Sequence, residues 1–112
     1  MTRSNPPDTI QALRNDFRHQ LEVFYAGLKL APPYHSVEKA ITTLVTRLNA
    51  MSAEERARVV SEPGRRWAEY HTAYVESGLH LKHRGIIAGL VRAKQTANLP
   101  PEHEHFLKAY EK

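Results

Sequence analysis

Between positions 10 and 28, apolar side chains fall at three- and four-residue steps: Ile10, Leu13, Phe17, Leu21, Phe24 and Leu28. This spacing stacks them on one face of a helix. Arg14, Asp16, Arg18 and Glu22 occupy the remaining surface. Asp8, with a side-chain acceptor for the first-turn amides, is the expected N-cap. Ala31-Pro32-Pro33 ends the helix, because proline lacks the amide donor and restricts the residue before it. A second seam, Val37, Ile41, Leu44, Leu48 and Met51, steps by four, three, four and three. It predicts a core helix over 36–50, capped by Ser36 and antiparallel to the first because the connection is short. Two heptads are too few for a coiled coil, yet the seam makes pairing with a second copy of the chain an expectation.

Ser52-Ala53-Glu54-Glu55 matches a capping box, in which Ser52 and Glu55 satisfy each other's end amides. It opens a short helix that stops near Val60 or Ser61, before Pro63-Gly64. Another helix runs from about Gly64 to Glu76 or Ser77, with Gly78 placed to cap it in a left-handed conformation. Residues 79–95 predict a further helix despite Gly85 and Gly89, each of which costs about 1 kcal/mol relative to Ala. Residues 102–110 form a last short helix, docked through Phe106, Leu107 and Tyr110. No β-branched run alternates with period two. The expected fold is all-α, a compact bundle of four main helices with one or two additional short helices. The expected core comprises Leu13, Phe17, Leu21, Phe24, Ile41, Leu44, Leu48, Val59, Trp67, Tyr70, Tyr74, Ile86 and Leu90.

Composition narrows the function classes. A length of 112 residues fits one domain over 1–112, with 1–7 as a flexible arm and 102–112 as the C-terminal helix. The absence of cysteine excludes disulfides, thiolate zinc sites, iron–sulfur clusters and cysteine nucleophiles. Hydrophobic residues at 41% and charged residues at 25% argue against wholesale disorder. The longest apolar run, 85–91, is too short to cross a bilayer, and the first residues lack the apolar region of a secretory signal. A soluble cytoplasmic protein without membrane contact is therefore expected.

Charge is placed unevenly. Between Glu76 and Glu102 there is no acidic residue, yet this stretch holds Lys82, Arg84, Arg92 and Lys94, equal to the whole formal net charge of +4. On one continuous helix, His80, Arg84 and Arg92 would share a stripe around Ala88, with Leu79, Ile86, Leu90 and Ala93 on another face. An acid-free polar face suits a phosphate backbone, since each cation there displaces a condensed counterion. The same cations also solvate a surface and offset a helix dipole without any ligand. Arg65 and Arg66, beside Trp67 at a helix start, extend the candidate surface. Cations are unfavourable there, so Glu62, Glu69 at i+4 from Arg65, or an external anion is expected to hold them. A compact turn at 76–79 between two helices also fits a helix-turn-helix, with the basic helix as reader.

Other clusters are weaker. Trp67, Tyr70, His71 and Tyr74 share a helix face that suits a core or, less often, a flat ligand such as haem. The seven histidines include the pair His80 and His83 and the run from Glu102 to His105. Neither offers three convergent zinc ligands, and Lys82 and Arg84 repel a dication. No glycine-rich phosphate loop, nucleophile elbow or zincin motif is present. A tertiary acid–base pair such as His71 with Glu38 or Glu69 has no sequence signal. The leading expectation is a non-enzymatic regulatory or accessory protein without cofactor or metal. It binds nucleic acid through the helix at 79–99, with Lys82, Arg84, Arg92 and Lys94 on phosphates and Arg65 and Arg66 beside them. The alternative is a helical adaptor or inhibitor docking its basic face on an acidic protein, with an exposed apolar patch near Ile87 and Val91. A third is a small-ligand or haem bundle using the 67–74 face.

Overall fold

The computed structural model describes residues 9–110, which contain no strand: the fold is all-α. Its helices are α1 (Ile10–Gly27), α2 (Tyr34–Ala50), α3 (Ala53–Ser61), α4 (Pro63–Glu76), α5 (Arg84–Arg92) and α6 (Glu104–Leu107). Single 3-10 turns lie at Leu79–Leu81, Pro101–His103 and Lys108–Tyr110. The arm at 1–7, the expected cap Asp8 and the last two residues lie outside the described residues.

The ends of the helices follow from local chemistry. Thr9 caps α1, its Oγ1 accepting from the Ala12 amide at 3.0 Å. α2 begins three residues earlier than a Ser36 cap predicts, with Pro33 at the cap and no side-chain acceptor, so Ser36 sits inside the first turn. The capping box is formed. The Glu55 amide donates to Ser52 Oγ at 3.1 Å, and the Ser52 amide donates to Glu55 Oε1 at 3.2 Å. Pro63 opens α4, where a missing amide proton costs nothing. Gly78 follows α4 at φ +81°, in the left-handed region expected for it.

The helix expected over 79–95 is interrupted. Leu79–Leu81 forms a 3-10 turn, His83 at φ −124° and ψ 28° is not helical, and α5 starts afresh at Arg84. The break resets the helical phase by one residue. Ile87, not Ile86, enters the core, and Leu90 is half-buried. Two helices end in the same way. After α1 the amides of Lys29 and Leu30 return to the carbonyls of Ala26 and Tyr25, at 3.0 and 2.9 Å. After α5 those of Lys94 and Gln95 return to Val91 and Leu90, at 3.0 and 2.9 Å. This Schellman closure needs a left-handed residue, and lysine fills it both times, at φ 60° for Lys29 and 58° for Lys94. The loop after Lys94 then folds against α1 at Gly27, where a Cβ would lie 2.5 Å from Leu99 Cδ2.

α1, α2 and α4 build the centre, with α3 on α4 and α5 against the last described turn. Leu13, Phe17, Leu21 and Phe24 of α1 meet Ile41, Leu44 and Leu48 of α2 and Tyr70, Ala73 and Tyr74 of α4 in one buried cluster. The seam of α2 is thus buried within its own chain and is not free to pair with a copy. The described residues 102–110 are the larger departure from expectation. Phe106 and Tyr110 are buried, as their docking role requires, but so is His103, between the exposed Glu102 and Glu104. Phe106 lies within 5.3 Å of Phe24, 5.0 Å of Tyr74 and 5.6 Å of Trp67, ring centre to centre.

Polar ties fix the three long helices. Arg18 of α1 and Glu38 of α2 form a two-pronged pair, Nη2 donating to Oε1 at 3.2 Å; it holds the Glu38 carboxyl below its ordinary range. Arg47 of α2 reaches Glu69 at 2.9 Å and Glu76 at 3.3 Å on α4. Tyr70 donates to Asp16 Oδ2 at 2.6 Å, joining α4 to α1.

Candidate functional site

The acid-free stretch becomes two groups of cations. Lys82 follows the 79–81 turn and Arg84 opens α5, while Arg92 closes α5 and Lys94 occupies its left-handed cap. All four are exposed, and none pairs with an acid among the described residues. The rise of a helix separates Arg84 from Arg92 by about 12 Å along the axis. Because the chain breaks at His83, His80, Arg84 and Arg92 do not form the single stripe expected of a continuous helix. The loop between α4 and α5 runs from 77 to 83, longer than the compact turn of a helix-turn-helix reader.

Arg65 and Arg66 stand apart from this surface. They lie at the opposite end of α4 from Gly78, about 20 Å away along the helix. Arg66 Nη1 donates to the Val60 carbonyl at 2.7 Å, closing the end of α3. Arg65 lines a groove that also contains Glu55 and Glu69, so its charge is locally opposed. Glu69 itself is taken by Arg47 of α2, not by Arg65 one turn away.

Two other grooves meet at the 79–81 turn. On one side His35, Ser36 and Lys39 of α2 face Ser77, Gly78, Leu81 and Lys82 across about 560 Å³. On the other, His71 and Val75 of α4 face His80, Arg84, Lys108 and Ala109 across about 300 Å³. Neither lining contains a carboxylate. The nearest acid in sequence, Glu76, is turned toward Arg47. Beside the larger groove stands Tyr34, 67% exposed, its ring 5.7 Å from that of His35. With Leu81 at 54% and Ile86 at 53%, Tyr34 makes up the exposed large hydrophobics among the described residues. Where an apolar patch is expected near Ile87 and Val91, Ile87 itself is buried and Val91 half-buried, and the exposed apolar groups nearby are Leu81 and Ile86.

The aromatic stripe of α4 is core. Tyr70 and Tyr74 are fully buried, and the half-buried Trp67 packs on His103, His105 and Phe106. The chain's own C-terminal segment therefore fills the face on which a flat ligand would lie. The Tyr74 and Tyr110 hydroxyls bond each other in the interior, and burial pushes Tyr110 up to about 12. Burial likewise pushes His71 and His80 below the ordinary imidazole range, helped at His71 by His105, Lys108 and His80 and at His80 by Arg84. Glu38 and Glu69 are both engaged by arginines, so neither forms the acid–base pair with His71. Among the described residues no three His, Asp or Glu side chains gather around a common ion position.

No protein-family model matches the chain, and no curated protein and no solved structure matches it. The groove residues His35, Lys39, His71 and Lys108 escaped the sequence reading because each is isolated among neighbours of other kinds. Only the turn at Gly78 and the docking of residues 101–110 bring them beside Lys82 and Arg84.

Proposed function

We propose that this chain is a small non-enzymatic nucleic-acid-binding protein, regulatory or accessory in role, that holds phosphates with the surface around the 79–84 turn and α5. The observation that supports this reading is the pair of carboxylate-free grooves meeting at the turn, with Lys82 and Arg84 exposed and unpaired among the described residues. In contrast, Arg18 and Arg47 in the three-helix centre are paired with acids, and Arg56 and Arg66 are bonded to carbonyl oxygens. Strand phosphates rise about 3.4 Å apiece, so the length of α5 spans three or four of them. Lys82 and Arg84 grip one end of that run, Arg92 and Lys94 the other. Lys39 and Lys108 extend it sideways, and Tyr34 offers a ring on which a base can stack. Arg65 and Arg66 lie outside it. No side chain is poised as a base-edge reader, so the contacts are to backbone and sequence preference is weak.

Salt titration of binding to duplex and single-stranded oligonucleotides tests this. Contact with four to six phosphates gives a log–log slope of about −3 to −5, and Lys82→Ala or Arg84→Ala each makes it shallower by about one. Arg65→Ala leaves it unchanged. A flat salt response rejects the reading. Exposed Leu81 and Ile86 beside the same cations favour a second reading, a module docking on an acidic protein surface; it predicts no oligonucleotide affinity.

A further inference from the structure

We propose that the smaller groove, between α4, the 79–81 turn and the last described turn, is a binding site for one tetrahedral oxyanion of the phosphate-monoester class, held by His71, His80, Arg84 and Lys108. The four side chains come from four segments and converge on one space of about 300 Å³, whose remaining lining is Val75 and Ala109. His71 Nε2 and His80 Nδ1 are closed off from solvent and have no hydrogen-bond partner among the described residues, so a small turn of either ring toward the groove gains a bond that the free protein lacks. Arg84 and Lys108 pair with no acid among the described residues. A guanidinium fork, an ammonium and two imidazoles are the donor set that a phosphoryl group takes. The volume is at the low end for small-ligand pockets, enough for a phosphoryl group and a small remainder.

The groove also sets the pH dependence. Burial is the first cause that disfavours the charged form of both rings. His71 is also faced by His105, Lys108 and His80, and His80 by His71, Arg84 and the Tyr74 ring at 6.1 Å. The Tyr74 backbone carbonyl alone favours the protonated form of His80, and it is outweighed. These charged neighbours are all basic, so without an anion both rings resist protonation. An oxyanion reverses that, and binding therefore strengthens as the pH falls through the imidazole range. The site stands on these residues whether or not the chain binds nucleic acid. The phosphate comes either from a free monoester or from the end of a nucleic-acid strand.

Sulfate is the probe, because it keeps its double charge across this range. The full chain is titrated with sulfate near pH 6 and near pH 8 against chloride of equal ionic strength, following the imidazole signals by NMR. Saturable shifts confined to His71 and His80 are expected, tighter at the lower pH, with the pKa of both rings rising on binding. Lys108→Ala and Arg84→Ala, both at exposed positions, each weaken sulfate roughly ten-fold, the loss of one charge-assisted contact; Lys94→Gly, outside the groove, does not. Shifts that never saturate, or that persist in both alanine variants, overturn the site. Competition by inorganic phosphate, a mononucleotide and oligonucleotides with and without a 5′-phosphate identifies the source. Salt-sensitive oligonucleotide binding with unmoved histidines removes the site and leaves the nucleic-acid reading. Sulfate binding without oligonucleotide affinity does the reverse.

Discussion

His103 stands fully buried, its ring 5.7 Å from Phe24, 5.6 Å from Trp67 and 5.5 Å from Phe106. Nε2 donates to Gln20 Oε1 at 3.2 Å, which places the ring proton there and leaves Nδ1 bare and unpartnered. Burial pushes the imidazole down to about 4. The unfolded chain, with an ordinary histidine, binds a proton in the interval where the folded one does not. Stability from this group is therefore complete above about pH 6.5 and falls as the pH drops toward 4, by about 3 kcal/mol. His71 and His80 act in the same direction. Urea unfolding at pH 7.5 and pH 4.5 is expected to show the loss, and His103→Leu to remove most of the His103 share. An equal pH dependence in the variant would contradict this account. Nothing local in Glu102-His103-Glu104-His105 distinguishes the two histidines. Their fates diverge because one faces Phe24 and the other lies flat on Trp67, a difference decided by where the segment docks.

Helices whose signals were local were legible in the chain. The periodicity of α1 and α2, the Ser52–Glu55 box and the Gly78 reversal need only neighbouring residues, and all four are present. Periodicity predicts one helix over 79–95 because it cannot register a phase reset. Leu79, committed to the core immediately after Gly78, and Ile87 are reconciled only by breaking the helix at His83. Lysine in the left-handed closing position is a second feature that periodicity passes over. At Lys94 the backbone adopts φ 58°, strained for a side chain and free for glycine. Lys94→Gly is expected to stabilise the fold by several tenths to about 1 kcal/mol, seen as a higher melting temperature, while making the oligonucleotide salt slope shallower. A lower melting temperature would show that the Lys94 side chain contributes contacts that outweigh the strain.

At the scale of the molecule, the chain separates its charges by use. Arg18 and Arg47 brace the α1–α2–α4 centre, whereas the cations at 82–94 make no such pairs among the described residues. Residues 101–110 complete both halves, sending Phe106 and Tyr110 into the core and Lys108 to the groove. Phe106→Ala is expected to cost about 3–5 kcal/mol in urea unfolding, as for other fully buried aromatics. A loss below 1 kcal/mol would mean that the segment is dispensable. The candidate surface was half legible: Lys82, Arg84, Arg92 and Lys94 stand out as an acid-free run, but the grooves do not, because their walls come from α2, α4 and the last turn.

The docking of Phe106 also bears on how the protein is made. While a ribosome has delivered only α1 to α5, the rings of Phe24, Trp67 and Tyr74 lack their cover and the interior stays open to water. Closure waits until residues 101–110 have left the ribosome. Nascent chains stalled before that point should thus remain protease-sensitive and attractive to chaperones, and folding should proceed in a single late step rather than helix by helix.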